Sequence, residues 1–160
     1  MIRRIQTALF FGLHGNAITV DAGLTILRVC VGLAFMTIFE KVLPREGIWG
    51  PQQWFIDDVA KMGFPIPVLF AWLAVLTEFV GGFLLIIGLG SRFAAISNAG
   101  VTFVAAFIYH HGDVGRSGLA ATVFFMMCTV LTIAGPGRFS IDGFLAKKFP
   151  SRPDARQRNV

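Results

Sequence analysis

This sequence predicts an all-α integral membrane protein: a four-helix bundle with both termini cytoplasmic and a partly structured outer loop between spans one and two. Three observations predict it. Of 160 residues, 55% are hydrophobic and 14% charged, whereas a soluble domain carries about a quarter charged residues. Four apolar runs, at 22–39, 66–89, 93–109 and 118–134, approach or reach the length that crosses a bilayer. Basic residues divide unevenly between the two sides of those runs. Arg3, Arg4, Arg92, Arg138, Lys147, Lys148, Arg152, Arg156 and Arg158 collect on one side, against Lys41, Arg45, Lys61 and Arg116 on the other. Cytoplasmic flanks carry such an excess, which assigns the first side to the cytoplasm. The net charge of +5 then reads as basic flanks against anionic lipid, not as a nucleic-acid footprint.

In chain order, residues 1–21 form a first unit. Ile2, Ile5, Leu9 and Leu13 fall at helical spacing, with Arg3, Arg4 and Thr7 off that stripe. Either a short helix in the headgroup region or a loosely ordered tail fits. Gly12, His14, Gly15 and Asn16 interrupt the apolar stretch, so no cleavable signal peptide is expected. Asp21 is placed to cap the first span.

The membrane domain follows over 22–145. Its outer loop mixes Trp49, Trp54, Phe55 and Met62 with Asp57, Asp58 and Lys61, predicting a short interfacial helix or a lid over the outer ends of the bundle. Pro65 and Pro67 end that element. Ser91-Arg92 is so short a link that spans two and three must form an antiparallel hairpin. Gly135-Pro136-Gly137-Arg138-Phe139-Ser140-Ile141-Asp142 reads as a turn ending span four at the cytoplasmic surface. A basic tail, 146–160, closes the chain.

Each span carries a stripe of small or polar residues at helical spacing: Thr25, Arg28, Gly32 and Met36; Ala71, Ala74, Glu78 and Gly81 or Gly82; Ser91, Ala95, Asn98, Thr102, Ala105 and Tyr109; Gly118, Thr122, Phe125, Thr129 and Thr132. Lipid gives such stripes no reason to face outward, so they are expected inside the bundle, with hydroxyls bonding between helices. Glu78 stands midway along span two, where an unpaired charge costs a few kcal/mol or more. By helical rise, Arg28, Asn98 and Thr129 lie about 8 to 9 Å from the cytoplasmic end of their spans and Glu78 about 16 Å. A buried Arg28–Glu78 pair, with Asn98, Thr102 and Thr129 completing a polar layer, follows as the expectation. Two readings of that layer stay open. It fixes helix register, or it floors a pocket for a quinone-like or other small amphipathic ligand, or part of a proton path.

A second polar cluster, Glu40, Lys41, His110, His111 and Asp113, falls at the outer ends. A solvated helix end explains it, and no metal is assigned: adjacent histidines on a helix point about 100° apart. Cys30 and Cys128 both sit in apolar runs without a CxxC motif, so plain packing is expected rather than a redox or zinc site. Gly88-Leu89-Gly90 is too short a glycine pattern for a dinucleotide site. No haem-ligand pair or iron–sulfur spacing occurs either, so the chain is not expected to hold a redox centre itself.

These residues resemble the DoxX family of small four-span bacterial membrane proteins over about 24–145. The resemblance rests on Leu27-Arg28 with Gly32, Phe35 and Lys41, on Met62-Gly63-Phe64-Pro65, and on Thr77-Glu78-Phe79-Val80-Gly81-Gly82. Ser91-Arg92-Phe93-Ala94-Ala95 and the 135–142 turn complete it. A histidine-glycine pair often found near the outer end of span one is replaced here by Ile38-Phe39, so no role of that histidine carries over. The resemblance implies a multi-pass protein of the bacterial cytoplasmic (inner) membrane. Some relatives are linked to thiosulfate:quinone oxidoreduction, others to assemblies handling oxidative or thiol stress. The implied role is a quinone-interacting or accessory subunit of a redox system, with no catalytic residue set of its own and quinone the one cofactor in view. The alternatives are a non-catalytic packing subunit of a larger membrane complex, contacting it through Phe83, Phe103, Phe107 and Phe124, and a small transporter that would need a homo-oligomer.

Overall fold

The computed structural model describes residues 17–37 and 50–148. The stretch 2–13, Glu40, Lys41, Trp49 and most of the basic tail lie outside the described residues. All regular structure among the described residues is helical: α1 (Ala17–Met36), α2 (Gln53–Lys61), α3 (Pro67–Ile87), α4 (Ser91–Phe103, running on as a π-helical turn Val104–Tyr109), α5 (Leu119–Ala134) and α6 (Ile141–Lys148).

Three stretches are long and apolar enough to cross a membrane: Ile18–Met36 with 19 residues, Pro67–Ile87 with 21 and Ser91–Tyr109 with 19. At about 1.5 Å per residue each reaches roughly 28–32 Å, the thickness of a hydrocarbon core. α5 is apolar and shorter, at 16 residues. Pro67 opens α3 at a position where its missing N–H costs nothing. Gly88 closes α3 in the left-handed region, at φ 76°, and Gly135 closes α5 at φ 83°; L side chains are strained in that region.

α3 packs between α1 and α4, α5 leans on α4 and α1, and α2 lies on α3. Val31 and Phe35 from α1, Leu85 from α3, Ala94, Ala95 and Ala99 from α4, and Cys128 and Leu131 from α5 form the core. α1 and α3 run antiparallel and approach closest at Gly32 and Gly82. A Cβ on Gly32 would lie 2.6 Å from the Gly82 carbonyl oxygen, so only glycine allows the crossing. Outward, Ile133 is 75% and Phe93 74% exposed. Apolar exposure on this scale fits lipid rather than water.

Most of the predicted inward stripe is buried in the first three spans, with Thr25, Met36, Ala74 and Ala105 half-buried and Tyr109 exposed. Arg28, Gly32, Ala71, Glu78, Gly81, Ser91, Ala95, Asn98 and Thr102 are all buried. α5 is rotated from expectation: Thr122, Cys128 and Leu131 face inward, while Phe125, Thr129 and Thr132 turn toward an outer groove. The threonine hydroxyls of the predicted stripes turn back on their own helices. Thr25, Thr102, Thr122, Thr129 and Thr132 each donate to the carbonyl one turn back in their own helix, at 2.8–2.9 Å. That local bond is always within reach and satisfies the hydroxyl without a partner helix. Phe124 packs inward against Phe35, with ring centroids 5.4 Å apart, and so is not a lipid-facing contact. Asp21 lies inside α1 rather than at its cap. Cys30 is exposed, Cys128 is buried, and both are free thiols.

Candidate functional site

One end of the bundle is tied together by backbone-directed polar contacts. Arg28 is 2% exposed; its Nη1 donates to Pro136 O at 2.9 Å and its Nη2 to Phe139 O at 2.9 Å. Those carbonyls follow the end of α5, so one guanidinium fork clamps the α5–α6 link to α1. Asp142 reaches the other way. Its carboxylate accepts Gly90 N at 2.8 Å and Ser91 N at 2.9 Å, and its amide donates to Gly88 O at 2.9 Å. A carboxylate on the first amides of α4 satisfies donors that no helix can satisfy itself and complements the helix dipole. Ser140 Oγ donates to Gly137 O at 2.6 Å and accepts from Gly143 N at 2.9 Å. The Asp21 carboxylate accepts Arg138 N at 3.1 Å.

The expected Arg28–Glu78 pair is therefore not formed. Arg28 lies against Gly88, nearly three turns of α3 from Glu78, or about 15 Å by helical rise. In the antiparallel crossing Phe35 and Met36 meet Gly82. Glu78 comes one turn of α3 before Gly82 and therefore lies toward the opposite end of the bundle from Arg28. The arginine stem extends toward the helix ends, where carbonyls lack partners, rather than along the bundle toward Glu78.

The opposite end holds a cavity of about 520 Å³ between α3, α4 and the overlying α2. Glu78, 5% exposed, lines it together with Thr77, Ser97, Tyr109 and His110, while the walls are largely apolar and aromatic, including Trp54, Phe55 and Phe70. α2 is held over the cavity through Asp58. Tyr109 Oη donates to Asp58 Oδ2 at 2.9 Å, and Lys61 Nζ donates to Asp58 Oδ1 at 2.8 Å. The lysine above all holds the Asp58 carboxyl below the usual carboxylate range; burial opposes it, and the tyrosine adds to the lowering. The same contact raises the Lys61 ammonium above its ordinary value. On the α4 side the wall is the π-helical turn Val104–Tyr109, where His110 N reaches Ala105 O at 3.1 Å. Such turns recur at functional sites, since the extra residue re-aims side chains.

The remaining candidates scatter. Asn98 is fully buried, lies against Gly81 and donates to Ala94 O at 3.0 Å. Thr102 donates to Asn98 O at 2.8 Å; both belong to the α3–α4 contact. Thr129 lies in the groove between α4 and α5, apart from Arg28 and from the cavity. Of the outer cluster, His110 faces the cavity. His111 is exposed at φ 50°, and Asp113 is exposed and accepts Ser117 Oγ at 3.3 Å. Among the described residues no three His, Cys, Asp or Glu side chains come together as a metal site.

The DoxX family model matches residues 23–111, from α1 through the π-helical turn. The chain belongs to the DoxX family. It is 31% identical over 136 residues to "Inner membrane protein YqjF" of Escherichia coli (strain K12), covering 81% of this chain and 96% of that protein. It is 28% identical over 141 residues to an uncharacterised protein of Haemophilus influenzae, covering 83% of this chain and 91% of that one. No solved structure gives a significant match. Arg28 and Ser91, inside the matched residues, and the 135–142 string, beyond them, are the parts of one knot. What the sequence did not reveal is Asp142 as a cap reaching across fifty positions, α6, and Ser97 and Thr77 beside Glu78. The string Ser140-Ile141-Asp142, followed by Lys147 and Lys148, was a legible helix signal.

Proposed function

We propose that this DoxX protein is a membrane subunit of a redox system that holds a quinone-like amphipathic molecule in the cavity above Glu78. The observation that carries this reading is the cavity itself. It has apolar and aromatic walls with a few polar groups among them, the general character of a small-molecule site. Glu78, Tyr109 and His110 supply groups that hydrogen-bond ring carbonyls or hydroxyls, and the surrounding aromatics suit a flat ring. The chain supplies binding and orientation; electrons come from and go to a partner. α5 is read as the fourth crossing, shortened as expected for a thin or untilted span. The basic flanks favour cytoplasmic termini, and the name of the E. coli relative supports an inner-membrane location. Purification in mild detergent followed by solvent extraction tests the reading. Quinone recovered near one per chain supports it, and its absence from protein that retains bound phospholipid contradicts it.

A packing-subunit reading rests on a separate observation. Phe83, Phe93, Phe103 and Phe107 stand exposed on the outer surface, where a larger membrane partner would meet aromatic faces. A stoichiometric partner in the same purification, without quinone, favours it.

A further inference from the structure

We propose that the cavity and a neighbouring groove form one track, the cavity taking a ring head and the groove a long apolar tail. This rests on the quinone reading above and adds the tail. The groove, about 360 Å³, runs along the outer surface between α4 and α5, past Phe103, Phe125, Thr129 and Ile133. Gly100 lines both the cavity and the groove. It sits on α4 between the residues that face one (Ser97, Val104) and those that face the other (Ile96, Phe103). Ile96 and Phe103 are 57% and 45% exposed, so they stand as a ridge, and Gly100 is the low pass through it. A Cβ there would meet nothing within 4 Å, which means that the pass is open rather than filled by a neighbour.

The other walls leave less room. Asn98 is fully buried behind α4, α2 roofs the cavity, and Leu73, the exposed lining residue of α3, occupies its side with an isobutyl group. A tail leaving over Gly100 meets Phe103 and Phe125, whose rings lie edge to face at 5.5 Å, then the half-buried Thr129. The Thr129 hydroxyl is already turned back to Phe125 O, so the groove presents its methyl group. Lipid is as apolar as this groove, so the tail gains position and van der Waals contact there rather than hydrophobic driving force. The occupant this predicts is therefore one already dissolved in the bilayer, arriving sideways and not through α2.

Two photoreactive probes test the track in the intact protein in nanodiscs: a benzoquinone with an azide on the ring, and a decyl benzoquinone with a diazirine near the tail end. The expected result is ring label on α3 or α4 beside Glu78 and tail label on α5 between Phe125 and Ile133. Both are competed by unlabelled decyl benzoquinone. Thr129→Phe, which fills the groove, should move the tail label off α5 and leave the ring label in place. Tail label spread evenly over the outward faces, with ring label still in the cavity, overturns the track and spares the quinone reading. Tail label on α5 that decyl benzoquinone does not displace also overturns it, because the groove then holds a phospholipid chain. Absence of any competed label overturns both.

Discussion

The two ends of this bundle solve the same problem, polar groups at membrane depth, in opposite ways. At the Arg28 end three charged side chains bond to backbone: Arg28 to two carbonyls, Asp142 to two helix-opening amides, Asp21 to the amide of Arg138. The α3–α4 link and the α5–α6 link are thereby knotted to α1. At the Glu78 end the acid lines a cavity of about 520 Å³ roofed by a short amphipathic helix. The difference teaches that the most buried charge in a small membrane protein is not by that fact the functional one. Burial with backbone partners closes an end, while burial beside open volume leaves room for a ligand.

The largest effect expected from breaking this contrast is at Arg28. Arg28→Met leaves the Pro136 and Phe139 carbonyls without their charged donor and should cost about 3 kcal/mol, measured by unfolding in mixed micelles. Arg28→Lys should recover less than half, because one ammonium cannot fork between two carbonyls. If lysine restores the full stability, the fork is not what holds the knot.

Next comes the pair of glycines. Gly32→Ala should cost about 2 kcal/mol, since its Cβ would press on the Gly82 backbone and force α1 from α3. Gly100→Ala, with open space around its Cβ, should stabilise by about 0.5–1 kcal/mol through helix propensity. Equal costs would remove the distinction between a packed contact and an open pass.

The smallest effect belongs to the roof. The Asp58 carboxyl titrates below its unfolded value, chiefly through Lys61 on the same helix and less through Tyr109 of α4. These charged contacts, the Tyr109 one tying α2 down, are therefore present above about pH 4 and lost as pH falls through the lowered folded value. Asp58→Asn should abolish that acid-dependent step while leaving global unfolding nearly unchanged. Acrylamide access to Trp54, with the other two tryptophans replaced by Phe, reads it. A step that persists in Asp58→Asn assigns the acid response elsewhere.

Much of the architecture was legible in the sequence because lipid enforces it. A run such as Pro67–Ile87 has few alternatives to a helix, and a short link has few alternatives to a hairpin, although the link proves to be Gly88-Leu89-Gly90, with Ser91 and Arg92 already opening α4. The helix on the outer loop was legible too, from aromatic and charged residues alternating around Asp57 and Asp58. The site was harder to read. Rise per residue fixes how deep Arg28 and Glu78 lie but not which way a long side chain turns, and the carbonyls that attract Arg28 belong to residues more than a hundred positions later. Asp142 was hidden for the same reason, since its partners at Gly90 and Ser91 are neighbours only after folding. Thr129 misled through periodicity: α5 shows hydroxyls on one face and its true inward residues, Cys128 and Leu131, on another. The π-helical turn at Val104–Tyr109 has no marking residue at all.

The most direct measurement of the division between the two ends is titration of Glu78→Gln with decyl benzoquinone, followed by Trp54 fluorescence, beside an unfolding curve of the same preparation. Stability should fall by less than in Arg28→Met while affinity drops about tenfold or more, the loss of about 1.4 kcal/mol. Unchanged affinity, or affinity lost only as the protein unfolds, would mean that Glu78 serves the fold as Arg28 does and that the cavity is not a binding site.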